Sequence, residues 1–233
     1  LTSLFVATSL LFAESEKGAD AKDASAKLLG DLFVEETAPP PQPELLKWTP
    51  LNQSTLSGRL IREKSPYLLS VMAEVPVGKK LTIEPGVVVL VSGAESGLTV
   101  RGTLEILGAP NQKVRFASVA ERPTPGAWAG IVAQDGACIT AHYLQLSHAK
   151  NGFVLSGTCF SLSNSVIDNV SASAVFALNS EVQLTQNSIG ECSPHALGLY
   201  ADRSSRVTVT RGRITGVQFG VVATGYSTVN LYD

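Results

Sequence analysis

Apolar and polar residues alternate through the second half of the chain, and the alternating segments recur at nearly constant spacing. Four of them begin and end on apolar residues seven positions apart, at 139–146, 160–167, 182–189 and 207–214. Their first residues advance by 21 (139 to 160), 22 (160 to 182) and 25 (182 to 207), and Val229 follows 22 later. A period of this size indicates stacked structural units, each of which buries its apolar side against its neighbours.

The alternation within a unit has the period of a β-strand, as in Val207 and Val209 on either side of Thr208. No segment of this region has helical spacing. Units of about 22 residues with two or three short strands predict an all-β parallel β-helix, in which every strand pairs with its counterpart in the next coil. A leucine-rich repeat has a similar period, but its leucine-rich consensus and its asparagine are absent. A β-sandwich would not keep the apolar positions in register over five units.

The chain before these units divides into three parts. Residues 1–13 are apolar, too short to span a bilayer and followed by acidic residues, which predicts the remnant of a signal peptide. Residues 14–45 predict a flexible tether that contains a short amphipathic segment (28–33) and a polyproline stretch (39–43). Residues 46–233 predict the solenoid, with an N-terminal cap and first coils at 46–129 and regular coils at 130–233. Both ends of the chain are expected to be truncated.

Short strand-like segments broken by Gly and Pro carry a family resemblance. They are VPVGKKLTIEPGVVVLV (75–91), GLTVRGTLEILGAP (97–110), VRF (114–116) and WAGI (128–131). Together they resemble the opening coils of secreted bacterial right-handed parallel β-helix proteins of the pectin-lyase-like superfamily. The resemblance implies a right-handed, single-stranded β-helix with coils of about 21–25 residues, in a secreted, periplasmic or cell-surface protein. It does not decide the function, because this superfamily includes polysaccharide lyases, hydrolases, adhesins and non-catalytic scaffolds.

The repeat predicts an apolar row on the outside of the solenoid. In the first strand of each coil, residues such as Val175 and Ala177 point inward, so the residue between them points outward. The outward residues are Val132, Val154, Phe176, Tyr200 and Val222. Contiguous exposed apolar side chains usually mark a contact surface. We therefore expect this row to be covered by the chain itself (28–33, 46–65 or 117–127), to bind a protein partner or a second copy, or to let Phe176 and Tyr200 stack on a glycan.

Candidate catalytic groups are few. Glycan hydrolysis needs two paired carboxylates, and lyases use acidic clusters that bind calcium, but the Asp residues are scattered. One weak candidate set comprises His148, Asp168 and Glu191, which follow successive closing strands and so lie within two coil spacings. Turns collect such residues for conformational reasons alone. No metal site and no cofactor are predicted.

The cysteines fall into two groups. Cys138 and Cys159 each precede an inward residue by one position on adjacent coils, so their Cα atoms are expected about 5 Å apart, within disulfide range. Oxidation in a secreted protein is consistent with such a bond. Cys192 falls in a column of small or apolar residues and is expected to be buried and free.

Composition and hydropathy argue against two classes of function, nucleic-acid binding and membrane insertion. Charged residues make up 16% of the chain and the net charge is -2, so no basic surface suggests nucleic acid. No segment predicts a stable membrane span. We expect a non-catalytic secreted or cell-envelope β-helix that acts as a structural or binding module through its outer faces. The alternative is a carbohydrate-active enzyme, either a polysaccharide lyase or a glycoside hydrolase.

Overall fold

The computed structural model describes residues 48–233, which form an all-β parallel solenoid of about eight turns. The predicted fold class is confirmed. The predicted signal-peptide remnant (1–13) and tether (14–45), including the segment 28–33, lie outside the described residues. The described part contains one short 3-10 helix, Arg62–Lys64.

Twenty-three short strands build the solenoid. In chain order they are β1 (Thr49–Leu51), β2 (Gly58–Leu60), β3 (Tyr67–Leu69), β4 (Met72–Val75), β5 (Lys80–Ile83), β6 (Val88–Val91), β7 (Gly97–Val100), β8 (Thr103–Leu107), β9 (Val114–Ser118), β10 (Gly130–Gln134), β11 (Cys138–His142), β12 (Leu144–Ser147), β13 (Asn151–Ser156), β14 (Cys159–Ser163), β15 (Val166–Asp168), β16 (Ser173–Leu178), β17 (Glu181–Thr185), β18 (Ser188–Gly190), β19 (Leu197–Asp202), β20 (Arg206–Thr210), β21 (Arg213–Ile214), β22 (Phe219–Ala223) and β23 (Thr228–Tyr232).

The strands form three parallel sheets that run along the solenoid. Sheet A contains β1, β3, β6, β9, β12, β15, β18 and β21; sheet B contains β4, β7, β10, β13, β16, β19 and β22; and sheet C contains β2, β5, β8, β11, β14, β17, β20 and β23. The first turn has strands only in sheets A and C, and every later turn passes through the sheets in the order A, B, C. The predicted repeat sets the pairing, because Ile139 lies beside Phe160, Phe160 beside Val182 and Val182 beside Val207.

Inward side chains from all three sheets fill the core. Ile139, Phe160, Val182 and Val207 are each at most 3% exposed, as the alternation predicts. The largest fully buried side chain is Trp128, whose Nε1 donates a hydrogen bond to the Ser147 carbonyl oxygen at 2.8 Å. Its polar edge is therefore satisfied inside an apolar interior.

In four successive coils, the corner between sheets C and A contains a left-handed residue at the same position. Tyr143, Asn164, Gln186 and Arg211 occupy this position with φ of 48°, 52°, 54° and 52°, in the left-handed region. Buried polar side chains support the corner from inside. Asn187 accepts a hydrogen bond from the Ser165 amide at 3.0 Å and donates one to the Leu162 carbonyl oxygen at 2.8 Å.

Two described segments that could cover the apolar row have backbone contacts at the end and at a corner of the solenoid. Residues 48–65 form the first turn, through β1 and β2, and do not lie across sheet B. Residues 119–127 form a loop that is hydrogen-bonded to the corner between sheets A and B. There the Ala127 amide donates to the His148 carbonyl oxygen at 2.9 Å, and the Gly126 amide to the Ala149 carbonyl oxygen at 3.1 Å.

Candidate functional site

The outward row of sheet B has the register that the sequence predicts. On β10, β13, β16, β19 and β22, its members are paired directly with one another from coil to coil: Val132, Val154, Phe176, Tyr200 and Val222. All five are partly exposed. The neighbouring inward residues Val175 and Leu199 are fully buried, at 0% exposure. The strand period thus separates the core from an apolar outer surface.

An aromatic pair lies at the centre of this row. The rings of Phe176 and Tyr200 are stacked nearly parallel, with centroids 4.8 Å apart and an interplanar angle of 7°. This separation matches the spacing of neighbouring strands in a sheet. Each ring therefore covers part of one face of the other, and the Tyr200 hydroxyl lies 3.3 Å from Thr224 Oγ1.

The apolar character of this surface is confined to the C-terminal coils. Towards the N-terminus the row continues through Thr99 and Glu74, which are paired in register below Val132. Beside the row, Leu197 is paired with Phe219, whose side chain is 55% exposed. Phe219 lies on the last coil of the described chain, where even the inward residue Val221 is 37% exposed. At its N-terminal side the apolar row ends in polar residues.

The outer face of sheet C is polar by contrast. Its column Thr140, Ser161, Gln183, Thr208 and Asn230 is paired in register. In the next column, His142 Nδ1 lies 2.6 Å from Ser163 Oγ. Within the described chain, the other ring nitrogen of His142 has no hydrogen-bond partner, so this serine–histidine pair lacks the carboxylate that orients the base in a catalytic triad.

A disulfide on this same face joins Cys138 to Cys159. Their Cα atoms are 4.8 Å apart on the adjacent strands β11 and β14, which agrees with the predicted separation. Cys192 is a free cysteine, as expected, but it is half-buried rather than buried. Its neighbour in the same column, Val217, is also partly exposed, because fewer coils cover this end of the described solenoid.

The weak catalytic candidates lie at the corner between sheets A and B. His148 and Glu191 both have left-handed backbones, with φ of 66° and 51°, and Asn169 lies between them with φ of 52°. The corner conformation thus accounts for the polar residues there, since the left-handed region is adopted most readily by Gly, Asn, Asp and His. The Asp168 carboxylate accepts a hydrogen bond from Asn169 Nδ2 at 3.1 Å.

Of these candidates, the structure brings Asp168 and Glu191 to one shallow depression, which Arg213 also lines. His148 does not line it, and its Nδ1 atom is buried without a hydrogen-bond partner in the described residues. No hydrogen bond or ion pair between the side chains of His148, Asp168 and Glu191 occurs in residues 48–233. Within the same range, no group of three or more His, Cys, Asp or Glu residues is arranged to hold a metal ion.

Burial affects one titratable group in this region. Partial burial raises the pKa of the Cys192 thiol, a hydrogen bond with the Val170 backbone opposes the shift, and the nearby Asp168 carboxylate adds to it. A raised pKa keeps the thiol protonated at neutral pH, and a protonated thiol is a poor nucleophile. The direction of this shift therefore gives no reason to add Cys192 to the catalytic candidates.

A groove at the corner of sheets C and A was not predicted from the sequence. It has a volume of about 470 Å³ and lies over the left-handed corner residues Tyr143, Asn164, Gln186 and Arg211. A signal for it existed, because these positions advance by 21 (143 to 164), 22 (164 to 186) and 25 (186 to 211), in step with the core repeat.

Two further results are negative. Within residues 48–233, no helix is both long enough and apolar enough to cross a membrane. Comparison of the chain with protein-family models, with curated proteins and with solved structures found no match.

Proposed function

We propose that this protein is a non-catalytic binding module of the pectin-lyase-like β-helix type, secreted or attached to the cell envelope. Its contact surface is the apolar row of sheet B, from Val132 to Val222, and its partner is another protein with an apolar surface. The observation that carries the proposal is the stacked, partly exposed pair of Phe176 and Tyr200 within that row.

Three arguments support the proposal that this apolar row is a contact surface. Five aligned apolar side chains lie in register on an outer face where alternation would normally put polar groups. The described segments 48–65 and 119–127 are engaged elsewhere in the fold. Aromatic side chains are also enriched at the buried centres of protein interfaces.

The orientation of the aromatic pair favours a protein over a glycan. A sugar that stacks on an aromatic side chain needs a free ring face. In this structure, Phe176 and Tyr200 cover part of one face of each other. Val154 and Val222 lie next to the pair on the adjacent strands. A protein surface requires only complementary apolar shape, so it suits this arrangement better.

A carbohydrate-active enzyme is the second candidate. It is supported by the depression that Asp168 and Glu191 share with Arg213, since paired carboxylates are the groups that glycan hydrolysis uses. Against it, His148, the third residue of the candidate set, does not line the depression. Release of reducing sugars or unsaturated products by the wild type, and its loss in Asp168→Asn and Glu191→Gln variants, would support this candidate.

The binding proposal is tested by replacing Phe176 and Tyr200 with Ser. Loss of both aromatic side chains from an interface removes about 1.5–3 kcal/mol each, so we expect partner affinity to fall by about a hundredfold or more. Self-association is measured first by sedimentation equilibrium, because a second copy carries the same surface. Partners from the native environment are then captured by a photoreactive residue at position 222.

The matched control replaces Gln183 and Thr208 with Ser, because these residues occupy the same two coils on the outer face of sheet C. It should leave binding unchanged. Equal losses in both double variants would contradict a specific surface on sheet B. Loss of glycan-array binding without loss of a protein complex would identify a sugar platform instead.

A further inference from the structure

The groove at the corner of sheets C and A is bordered by one column of side chains from five successive coils. The column comprises Lys113, Tyr143, Asn164, Gln186 and Arg211, all of which line the groove. Strand pairing places them side by side, because each precedes a strand of sheet A in equivalent register. Four coil spacings of about 4.8 Å separate the first residue from the last, so the column is about 19 Å long.

The floor and the border of the groove differ in their hydrogen bonding. On the floor, Ser165 Oγ donates to the Ser163 carbonyl oxygen at 2.7 Å and accepts from the Leu144 amide at 2.9 Å. The side-chain amide of Asn187 is bonded to the backbone at both its oxygen and its nitrogen. On the border, the side-chain amides of Asn164 and Gln186 have no hydrogen-bond partner among residues 48–233. They remain available to donate to a ligand and accept from it.

Four of the five border residues, all except Lys113, have left-handed backbones. The corner requires a left-handed residue, for which Gly and Asn are the least costly choices. Only Asn164 meets this preference, whereas Tyr143, Gln186 and Arg211 adopt φ of 48°, 54° and 52°. Non-glycine residues such as Asp135, His148 and Arg203 have the same backbone at other corners, so this conformation belongs to the fold and does not by itself indicate a ligand.

Positive charge lies at both ends of the groove. Lys113 is the first residue of the column and Arg211 the last. Neither is among the ion pairs of the described chain, which are Arg59–Glu84, Lys80–Glu105 and Arg101–Asp135. No acidic residue lines this groove. An extended peptide advances about 3.3 Å per residue, so residues six positions apart are about 20 Å apart and lie on the same side. Two carboxylates at that spacing match the two cationic ends.

We propose that this groove binds an extended acidic peptide, with carboxylates six residues apart held by Lys113 and Arg211. Between the ends, the amides of Asn164 and Gln186 hydrogen-bond to the peptide backbone, which offers both donors and acceptors. Tyr143 contributes an apolar ring and a hydroxyl group. The groove is separate from the apolar row of sheet B, and its proposed ligand does not depend on the function assigned to that row.

The probe is a synthetic nine-residue peptide of Gly, Ser and Thr with glutamate at its second and eighth positions, labelled for fluorescence anisotropy. The full chain should bind it with an affinity that falls as salt is added, because screening weakens exposed charge pairs. Arg211→Gln should weaken binding roughly twofold to fivefold, the loss of one exposed charge pair. The matched control is Arg206→Gln, which removes an exposed arginine from sheet C outside the groove.

Stability measurements separate a ligand site from a structural corner. Gln186→Asn replaces the residue with one that tolerates the left-handed backbone better. We expect its melting temperature to be unchanged or higher while peptide affinity falls. A lower melting temperature with unchanged affinity would show that Gln186 is there for the fold, and would overturn the role assigned to it.

Other outcomes contradict the proposal as a whole. A peptide with adjacent glutamates that binds equally well, or an Arg206→Gln loss equal to that of Arg211→Gln, would show non-specific attraction between charges. Tight binding of heparin that depends on Arg211, without peptide binding, would assign the groove to an anionic glycan. Absence of peptide binding up to about 1 mM would leave no peptide site.

Discussion

The outer faces of sheets B and C are built on the same coils but carry opposite chemistry. On sheet B, Phe176 and Tyr200 form the centre of an apolar row. On sheet C, the paired residues of the same two coils are Gln183 and Thr208. Both faces have equally regular parallel pairing over equally buried inward residues. The fold therefore does not require apolar residues on its outer faces. Folding alone does not explain the apolar row on sheet B.

Besides the backbone pairing common to both faces, each face has a different side-chain link between neighbouring coils, at different points along the solenoid. On sheet C, a disulfide joins β11 to β14. On sheet B, side-chain stacking joins β16 to β19. A covalent bond constrains the unfolded chain, whereas a stacked pair acts only in the folded state and remains available to a partner. The face with the weaker internal link is the one proposed to bind.

The largest expected effect tests the division between inward and outward residues on sheet B. Val175→Asp puts an unpaired carboxylate in the core, where Val175 is 0% exposed. We expect a loss of about 3–5 kcal/mol in the free energy of unfolding, enough to unfold much of the chain. Phe176→Asp, one residue away but outward, should keep the fold by circular dichroism. Equal damage by both variants would refute the register on which the apolar row depends.

The disulfide is expected to have the next largest effect. It closes a sequence separation of 21 residues, for which constraint of the unfolded chain contributes about 3 kcal/mol. The Cys138→Ser, Cys159→Ser double variant should therefore melt roughly 6–12 °C lower than the wild type, by calorimetry without reductant. Cys192→Ser serves as the matched control and should change the melting temperature little. A wild-type protein that yields three reactive thiols on denaturation would show that the bond is absent.

Much of this architecture was predictable because it depends on two simple periods. The strand period of two decides which residues face the core, and the repeat of about 22 residues decides which residues lie side by side. Together they place Val182 beside Val207 inside and Phe176 beside Tyr200 outside, as found. The same reasoning put Cys138 next to Cys159.

Periodicity does not predict two other features, the stacking of the aromatic pair and the groove between sheets C and A. The stacking of Phe176 on Tyr200 depends on side-chain rotamers, which the register leaves open. The groove between sheets C and A depends on left-handed corners, and Tyr143 and Arg211 are not residues that predict such a backbone. The repeat of apolar residues seven positions apart is not visible in the sequence before residue 130, although parallel pairing already begins where Thr49 lies beside Tyr67.

A smaller effect is expected from the aromatic pair in the isolated protein. Phe176→Ala removes the stack with Tyr200, and such pairs contribute about 0.5–1.5 kcal/mol beyond the area they bury. The melting temperature should fall by roughly 2–4 °C, as measured by calorimetry. The matched change on sheet C, Gln183→Ala, should alter the free energy of unfolding by less than about 0.5 kcal/mol. A much larger loss in Phe176→Ala would mean that the ring is covered by the chain itself.

The smallest expected effect concerns the reactivity of Cys192, the cysteine that lies on neither face. Partial burial raises the pKa of its thiol, so in the folded protein less thiolate is present at a given pH than in the unfolded chain. The folded state binds the thiol proton of Cys192 more tightly than the unfolded chain does. The contribution of this proton to the free energy of unfolding is therefore present below the pKa of the unfolded chain, and it is lost as pH rises through the pKa of the folded protein. Alkylation by iodoacetamide at pH 8 should therefore be slower in the native protein than in denaturant, and should speed up as pH rises. Equal rates in both states at every pH would show that Cys192 is fully exposed, and that the corner between sheets A and B is more open than the structure indicates.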